Sequence, residues 1–302
     1  MKITYDPKYH ALYPKLGTYN PQHTIACRDK ETSLRKPHPR HRKDYKKASV
    51  CMPDREKYKR LVARMKYYGY SEEEIFSAIL LLQDLDQGNI KNLDGFYNIL
   101  MERLENKEQY LDIWIEGKTA LTLAFNNFNV TYNPLGNGPD LLAEDFGHQL
   151  YVEVKRYRED WLTRRKLEEA TEKGTKYGRG QRDVEKLIGD VLKKTSQLPR
   201  GEIDIVFIRS DNITIEEVDF KLAMHDFDEM VRSNPVYRGI SGILFDSGWV
   251  NIRTGQRFYL HLNPQAEKPL SLVLAERLRN LEEPPPHSRD EIPFLMNYLG
   301  MN

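Results

Sequence analysis

The stretch GPDLLAEDFGHQLYVEVKR, from Gly138 to Arg156, places charged residues inside an apolar segment. Its second half alternates from Leu150 to Lys155, as in a strand with one apolar face, so Glu153 and Lys155 share the other face. Its first half, LLAEDF, predicts a second short strand behind a Gly-Pro turn. The stretch therefore predicts an antiparallel hairpin with Asp140 at the start of one strand and Glu153 and Lys155 within the next.

The segments on either side extend this hairpin into a larger fold. Upstream, residues 107–128 predict a helix that is apolar on almost every side, which is typical of a buried helix, and FNVTYNPL predicts a strand. Downstream, QRDVEKLIGDVLKK predicts an amphipathic helix, and Glu202–Ser210, ISGILFDSGWV and GQRFYLHL predict strands. The predicted fold class is α/β (α+β), a mixed central sheet flanked by helices whose first elements run α-β-β-β-α-β.

The chain divides into four predicted segments. Residues 1–50 contain five prolines and no sustained periodicity, which predicts an extended arm. Residues 51–106 predict three short helices, the second of which opens with the capping-box sequence Ser71–Glu74. Residues 107–263 form the predicted core, and residues 264–302 predict a helix, a proline linker and a tail.

Composition limits the class of protein. The 302 residues are 39% hydrophobic and balance 46 Lys and Arg against 45 Asp and Glu, for a net charge of +1, as in globular proteins. No apolar run approaches the ~18 residues that a membrane span needs, and the amino terminus lacks a signal-peptide core, so we expect no membrane partner and a cytoplasmic location. The two cysteines are either free thiols or zinc ligands together with nearby histidines: Cys27, Cys51, His23, His38 and His41.

The charged residues of the hairpin suggest a metal site. Two carboxylates, Asp140 and Glu153, and a backbone carbonyl are the oxygen ligands that Mg²⁺ or Mn²⁺ takes up. Lys155 on the same face would stabilise charge on a phosphate or position an attacking water. Glu116 lies in the predicted buried helix, where an acid must be paired, protonated or metal-bound. The alternative is a Glu153–Lys155 ion pair on a solvated sheet face.

These residues resemble a known motif. Pro139-Asp140, twelve further residues and then Glu153-Val154-Lys155 are similar to the signature of the PD-(D/E)XK nuclease superfamily, and the element order over residues 107–210 resembles its restriction-endonuclease-like core. The resemblance implies that Glu116, Asp140 and Glu153 are metal ligands and catalytic residues. It also implies that the Val154 carbonyl is a ligand and that Lys155 is catalytic. One motif of the exonuclease-like branches, Gln-x3-Tyr, is absent, because Glu185 stands four residues after Gln181.

Basic segments indicate a polyanionic partner. Arg28–Lys47 holds nine Lys or Arg against three acids, and residues 155–182 combine basic and aromatic side chains with glycines. Both segments could instead be solvated, and acids dilute residues 159–172. The candidate nucleic-acid contacts are Arg35, Lys36, Arg40, Arg42, Lys43, Arg156, Arg158, Lys173, Lys176, Arg179 and Arg182.

The sequence thus predicts a Mg²⁺-dependent or Mn²⁺-dependent nuclease acting on nucleic acid, with double-stranded DNA as the expected substrate and internal cleavage as the expected mode. Duplex cutters with one such site per chain often pair, so a homodimer is one expected arrangement. Signatures of serine hydrolases, P-loop enzymes and zinc proteases are absent. The alternative function is a nucleic-acid-binding or assembly protein that keeps the nuclease-like fold without the reaction.

Overall fold

A computed structural model describes most of the chain from residue 55 onwards and divides it into two compact units. One unit comprises Met1–Gln87 and Pro284–Asn302, and the other comprises Gly88–Glu283. The described residues are 55–88, 90–133, 135–136, 138–145, 147–157, 188–189, 201–210, 217–248, 255–285 and 287.

Among the residues that the structure describes, the first unit contains two helices, α1 (Arg55–Tyr67) and α2 (Glu72–Gln87). The predicted capping box begins α2: the Ser71 amide donates to Glu74 Oε2 at 2.7 Å, and the Glu74 amide donates to Ser71 Oγ at 3.2 Å. The two bonds satisfy donors that the first helical turn leaves without intrahelical partners. His287 Nε2 lies 2.7 Å from Asp84 Oδ2, which joins the segment after Pro284 to α2 within this unit.

The second unit is a six-stranded mixed sheet flanked by helices. Its strands lie in chain order, with β1, β2 and β3 antiparallel, β3, β4 and β5 parallel, and β6 antiparallel to β5. The strands are β1 (Asn129–Tyr132), β2 (Leu141–Asp145), β3 (His148–Tyr157), β4 (Asp204–Ser210), β5 (Gly242–Asp246) and β6 (Phe258–Leu262). The helices whose bounds are described are α3 (Leu93–Arg103), α4 (Lys107–Phe125), α5 (Glu217–Ser233) and α6 (Leu272–Arg279), and a 3-10 turn spans Pro235–Gly239.

Helices α4 and α5 lie on opposite faces of this sheet. Arg156 of β3 contacts α4, whereas its neighbour Tyr157 packs in a buried cluster with Phe220 and Phe227 of α5. Successive residues of a strand point to opposite faces, so the two contacts place the helices on the two sides. Helix α4 is buried along most of its length, as its apolar circumference predicts, and Asn106 begins it by accepting from two first-turn amides.

Most of the predicted core agrees with this architecture. The α/β class, the buried helix, the hairpin and the two further strands are all present. The predicted helix of residues 181–194 lies outside the described residues except for Ile188 and Gly189, which are helical. The unit boundary follows Gln87, so α3 belongs with the sheet and packs on α4 and β1, whereas the sequence grouped it with α1 and α2. Within the described residues, no helix combines the length and the apolar character needed to cross a membrane.

Candidate functional site

The open end of the β2–β3 hairpin holds the first candidate ligand. The register pairs Leu141, the first residue of β2, with Val152, so β3 continues past the start of β2. The Tyr151 amide donates to Ile203 in the segment leading into β4. Backbone groups alternate along a strand, so the Val154 amide faces the β2 side. There it donates to Asp140 Oδ2 at 2.8 Å, and the Asp140 carboxylate therefore takes the place of a ladder partner.

The Val154 carbonyl faces the same edge. In a hydrogen-bonded antiparallel pair each residue exchanges both its N–H and its C=O with the opposite strand, so the two groups of one residue point the same way. The carbonyl that the family resemblance makes a metal ligand is therefore directed to the side where the Asp140 carboxylate lies.

Glu153 lies opposite Asp140. The β1 ladder extends one residue further, because the Asn133 amide donates to the Asp140 carbonyl at 2.7 Å. One step beyond the Leu141–Val152 pair, the register sets Asp140 against Glu153, and side chains directly opposite in antiparallel strands have Cβ atoms about 4.5–5.5 Å apart. Glu153 is fully buried and Lys155, on the same face, is half-buried. Glu153 and Lys155 thus share the face of β3 that Tyr157 turns towards α5, and the Asp140 carboxylate lies at the edge of the same strand, on the Val154 amide.

Glu116 approaches from α4 and is held by a tyrosine. The Tyr132 hydroxyl donates to Glu116 Oε2 at 2.7 Å, and the ring of Tyr132 meets Phe96 edge to face. Burial, followed by the negative charges of Glu116 and Asp140, raises the pKa of Tyr132 above its usual range. The phenol therefore stays protonated and lies within electrostatic reach of both acids.

The fit to a divalent cation is partial. Hard oxygen donors from Asp140, Glu153 and the Val154 carbonyl have the right chemistry for Mg²⁺ or Mn²⁺. Among the described residues, however, no three His, Cys, Asp or Glu side chains are gathered closely enough to hold a metal ion. Glu116 therefore does not complete a three-carboxylate cluster with the strand pair, and its carboxylate is bound by Tyr132 instead.

The predicted phosphate contact of Arg156 is wrong. The sequence predicted that it contacts phosphate, but its guanidinium group is buried on the α4 face, with 2% of the side chain exposed. Its Nε donates to Asp112 Oδ1 at 3.0 Å, and an Nη group pairs with the carboxylate of Glu108. Both partners lie in the first turns of α4, so Arg156 joins β3 to this helix and is not available to a ligand.

The other candidate nucleic-acid contacts lie outside the described residues. They are Arg35, Lys36, Arg40, Arg42, Lys43, Arg158, Lys173, Lys176, Arg179 and Arg182. The same holds for Cys27, Cys51 and the histidines near them, so their roles stay predictions.

A buried charge network at the ends of β4 and β5 was not predicted. Arg209 Nη2 lies 2.6 Å from Asp246 Oδ2, and Arg257 binds the same carboxylate through two bonds of 2.6 and 2.9 Å. Arg209 also pairs with Glu283. Burial alone would raise the pKa of Asp246, but Arg257 and Arg209 hold it well below its usual range. The sequence signal was a charged residue at the end of each apolar run, Arg209 after IVFI and Asp246 after ILF.

Lys118 of α4 lies beside this network. Its ammonium group sits 4.8 Å from the centre of the Trp114 ring. Burial lowers the pKa of Lys118 to about 8, while Glu283 acts in the opposite direction. Among the described residues, three cationic side chains and two carboxylates thus share this corner of the second unit, and the loss of one partner would leave an opposite charge buried without compensation.

A buried acid lies at the other end of β4 from this network. Asp204, the first residue of β4, is 1% exposed, and neither of its carboxylate oxygens forms a hydrogen bond with the residues that the structure describes. Burial, with a smaller contribution from Glu202, raises the pKa of Asp204 to about 7. Its backbone is held by Ser241, whose Oγ accepts from the Asp204 amide at 3.0 Å.

The chain was compared with protein-family models, with curated proteins and with solved structures, and none of the three comparisons found a match.

Proposed function

We propose that this chain is a metal-dependent nuclease that hydrolyses phosphodiester bonds, with DNA as the substrate and internal cleavage as the mode. The observation that carries the proposal is the hydrogen bond between Asp140 Oδ2 and the Val154 amide. It fixes an acid at the open end of the hairpin, opposite Glu153 and on the strand pair that carries Lys155.

Asp140, Glu153 and the Val154 carbonyl would hold the divalent cation. Such a cation, when bound, lowers the pKa of a water molecule and offsets negative charge on a phosphate. The protein would hold the oxygen ligands in position before the cation and the substrate bind. The Val154 amide restrains one oxygen of Asp140, and burial restricts the rotamers of Glu153. Both restraints reduce the reorganisation that the site needs before reaction.

Lys155 would act on the reacting groups directly. As water attacks phosphorus, a new P–O bond forms, the ester P–O bond breaks and the leaving oxygen takes up a proton. An ammonium group on the Glu153 face donates hydrogen bonds to the attacking water or to a phosphate oxygen whose negative charge increases. Its half-buried position strengthens this interaction relative to bulk water.

Two further features support a nucleic-acid substrate. The three antiparallel strands followed by a parallel fourth strand agree with the element order on which the family resemblance rests. The basic residues of Arg28–Lys47 and of residues 173–182 supply the charge that a phosphate backbone requires. Arg156 is excluded from this set by its burial.

The test uses closed-circular duplex DNA with Mg²⁺, with Mn²⁺ or with EDTA. We expect nicking or linearisation that EDTA abolishes and that Asp140→Asn, Glu153→Gln or Lys155→Ala each reduce by at least about a hundredfold. Glu144→Gln, which removes a carboxylate from the same hairpin, is the matched control and should cut normally. Circular dichroism confirms folding of each variant.

Two results would contradict the proposal. Undiminished cutting by all three variants would place the reaction elsewhere. Metal-independent binding of DNA without any cutting would instead favour the alternative, a nucleic-acid-binding protein on this fold.

A further inference from the structure

Helix α1 of the first unit has a basic exposed face. Its sequence, REKYKRLVARMKY, holds six Lys or Arg and one acid, Glu56. Four of these cations are exposed: Lys59, Arg60, Arg64 and Lys66. Lys59 pairs with Glu56 at 3.1 Å, whereas the other three form no ion pair with any residue that the structure describes. The exposed face of α1 therefore keeps positive charge that its surroundings do not neutralise.

The opposite face of α1 is buried. Its apolar side chains, Tyr58, Leu61, Val62 and Met65, all lie in the core. A helix that binds a lipid surface places its apolar face in the bilayer interface, and in α1 that face is already covered by the protein. A partner of α1 therefore meets the charged face and the tyrosine at the end of the helix, Tyr67.

Tyr67 is the last residue of α1, and 83% of it is exposed. The helix end is fixed by a Schellman motif, in which the Gly69 amide donates to the Lys66 carbonyl and the Tyr70 amide donates to the Met65 carbonyl, both at 3.1 Å. Gly69 adopts the positive φ of 74° that this motif uses. Tyr70 is buried, so the chain turns back into the core and leaves the Tyr67 ring outside.

A neighbouring ring orders Tyr67. The centroids of Tyr67 and Tyr68 are 5.1 Å apart with an interplanar angle of 76°, which is an edge-to-face contact. The guanidinium carbon of Arg64 lies 5.8 Å from the centre of the Tyr68 ring. Arg60, Arg64 and Tyr67 are spaced i, i+4, i+7, so they lie on one face of the helix. Two cations and an ordered ring thus form a row about 10 Å long, at a rise of about 1.5 Å per residue.

We propose that this row of Arg60, Arg64 and Tyr67 binds single-stranded nucleic acid, with the guanidinium groups on backbone phosphates and the Tyr67 ring stacked on a base. Cationic side chains bind phosphates irrespective of base sequence, and aromatic rings stack on unpaired bases. In a duplex the faces of each base are covered by the neighbouring base pairs, so an exposed ring fits a single strand.

The surface extends the nucleic-acid contacts beyond those that the sequence predicted. In the chain, α1 begins eight residues after the basic segment Arg28–Lys47, so it continues a stretch that is rich in cations. The row belongs to the first unit, whereas Asp140, Glu153 and Lys155 belong to the second. Binding by α1 therefore does not depend on the proposed cutting reaction.

Fluorescence anisotropy of the full-length chain in EDTA measures binding without cutting, with labelled oligothymidylate, oligouridylate and a duplex as probes. We expect a single strand to bind more tightly than the duplex. Tyr67→Ala should weaken single-strand binding about tenfold, as for the loss of one base stack, and leave its salt dependence unchanged. Arg60→Gln and Arg64→Gln should each reduce the slope of log K against log salt by about 0.7, the contribution of one phosphate contact on a single strand.

Conservative variants provide matched controls. Tyr67→Phe keeps the ring and Arg60→Lys keeps the charge, so both should bind as the wild type does. Arg232→Gln removes an exposed cation from α5 and should change neither the affinity nor the slope. Asp140→Asn should bind the single strand although it should not cut, which separates a failure of this proposal from a failure of the proposed nuclease activity.

Several results would overturn the proposal. Wild-type affinity in Tyr67→Ala would exclude stacking, and an unchanged salt slope in both arginine variants would exclude phosphate contacts. An equal loss in Arg232→Gln would show a general charge effect. Tighter binding of the duplex than of either single strand would contradict the choice of partner, and so would binding of phosphatidylserine vesicles without binding of either oligonucleotide. Because the substituted side chains of α1 are exposed, these variants keep the core intact.

Discussion

Replacing Asp204 by Asn should make the protein more stable at neutral and higher pH. In the folded chain this carboxyl is buried at the start of β4, and its pKa is raised from the ordinary 3.8 to about 7. The folded state therefore holds its proton more tightly than the unfolded state does. The contribution of Asp204 to the free energy of unfolding is fully present below about pH 3.8 and is lost as the pH rises to about 7.

The pKa values set the size of the effect. Each pH unit between them costs about 1.4 kcal/mol, so the ionised Asp204 carboxylate lowers the free energy of unfolding by about 4 kcal/mol at pH 8 relative to pH 4. Asn has nearly the same shape and cannot ionise. The stability advantage of Asp204→Asn over the wild type should therefore grow across this window and level off above about pH 7.

Urea unfolding followed by circular dichroism, at several pH values from 4 to 8, measures the difference directly. Asp226→Asn, at an exposed position of α5, is the control for the loss of one negative charge. If the difference in unfolding free energy between Asp204→Asn and wild type stayed constant from pH 4 to pH 8, the assignment of a raised pKa to Asp204 would be refuted.

Two further predictions concern buried polar contacts. Arg209→Met should destabilise the chain by about 3–5 kcal/mol in urea unfolding, because it leaves Asp246 buried without one of its two arginine partners; a loss below about 1 kcal/mol would contradict the network. Tyr132→Phe should cost about 1.5–3 kcal/mol, the usual contribution of a hydrogen bond to a charged group, because it removes the bond to Glu116. Tyr259→Phe is its control, since the Tyr259 hydroxyl forms no hydrogen bond with the described residues, and equal losses in the two variants would show that only packing had changed.

The sequence pattern was sufficient to predict those features that depend on a single helix or strand. Alternation within LYVEVK predicted that Glu153 and Lys155 share one face, and the structure has both residues in β3, two positions apart. The capping box at Ser71 formed as predicted, since both of its hydrogen bonds join residues within one helical turn. In each case the interaction that sets the structure is local and leaves a periodic or spaced signal.

Arg156 is a residue whose contacts the local sequence pattern did not predict. In the sequence it stands beside Lys155 among other basic residues, and composition alone groups it with phosphate contacts. In the fold it is buried, because its partners Glu108 and Asp112 lie more than 40 residues earlier on α4. Adjacent residues of a strand face opposite sides, and only the packing of α4 on the sheet places two acids on the side that Arg156 faces.

The sequence by itself determined the α/β class, the hairpin and the pairing of Asp140 with the Glu153–Lys155 strand, because alternation and turn residues encode them locally. The tertiary structure decided which groups each buried charged side chain contacts. It turned Glu116 towards Tyr132, bound Arg209 to Asp246 across two parallel strands and buried the Asp204 carboxylate without a hydrogen bond from the residues that the structure describes. These outcomes depend on which distant segment packs against each side chain. A buried charge without a partner has a high free energy, so either the packing supplies an opposite charge or the pKa of the group shifts towards its neutral form.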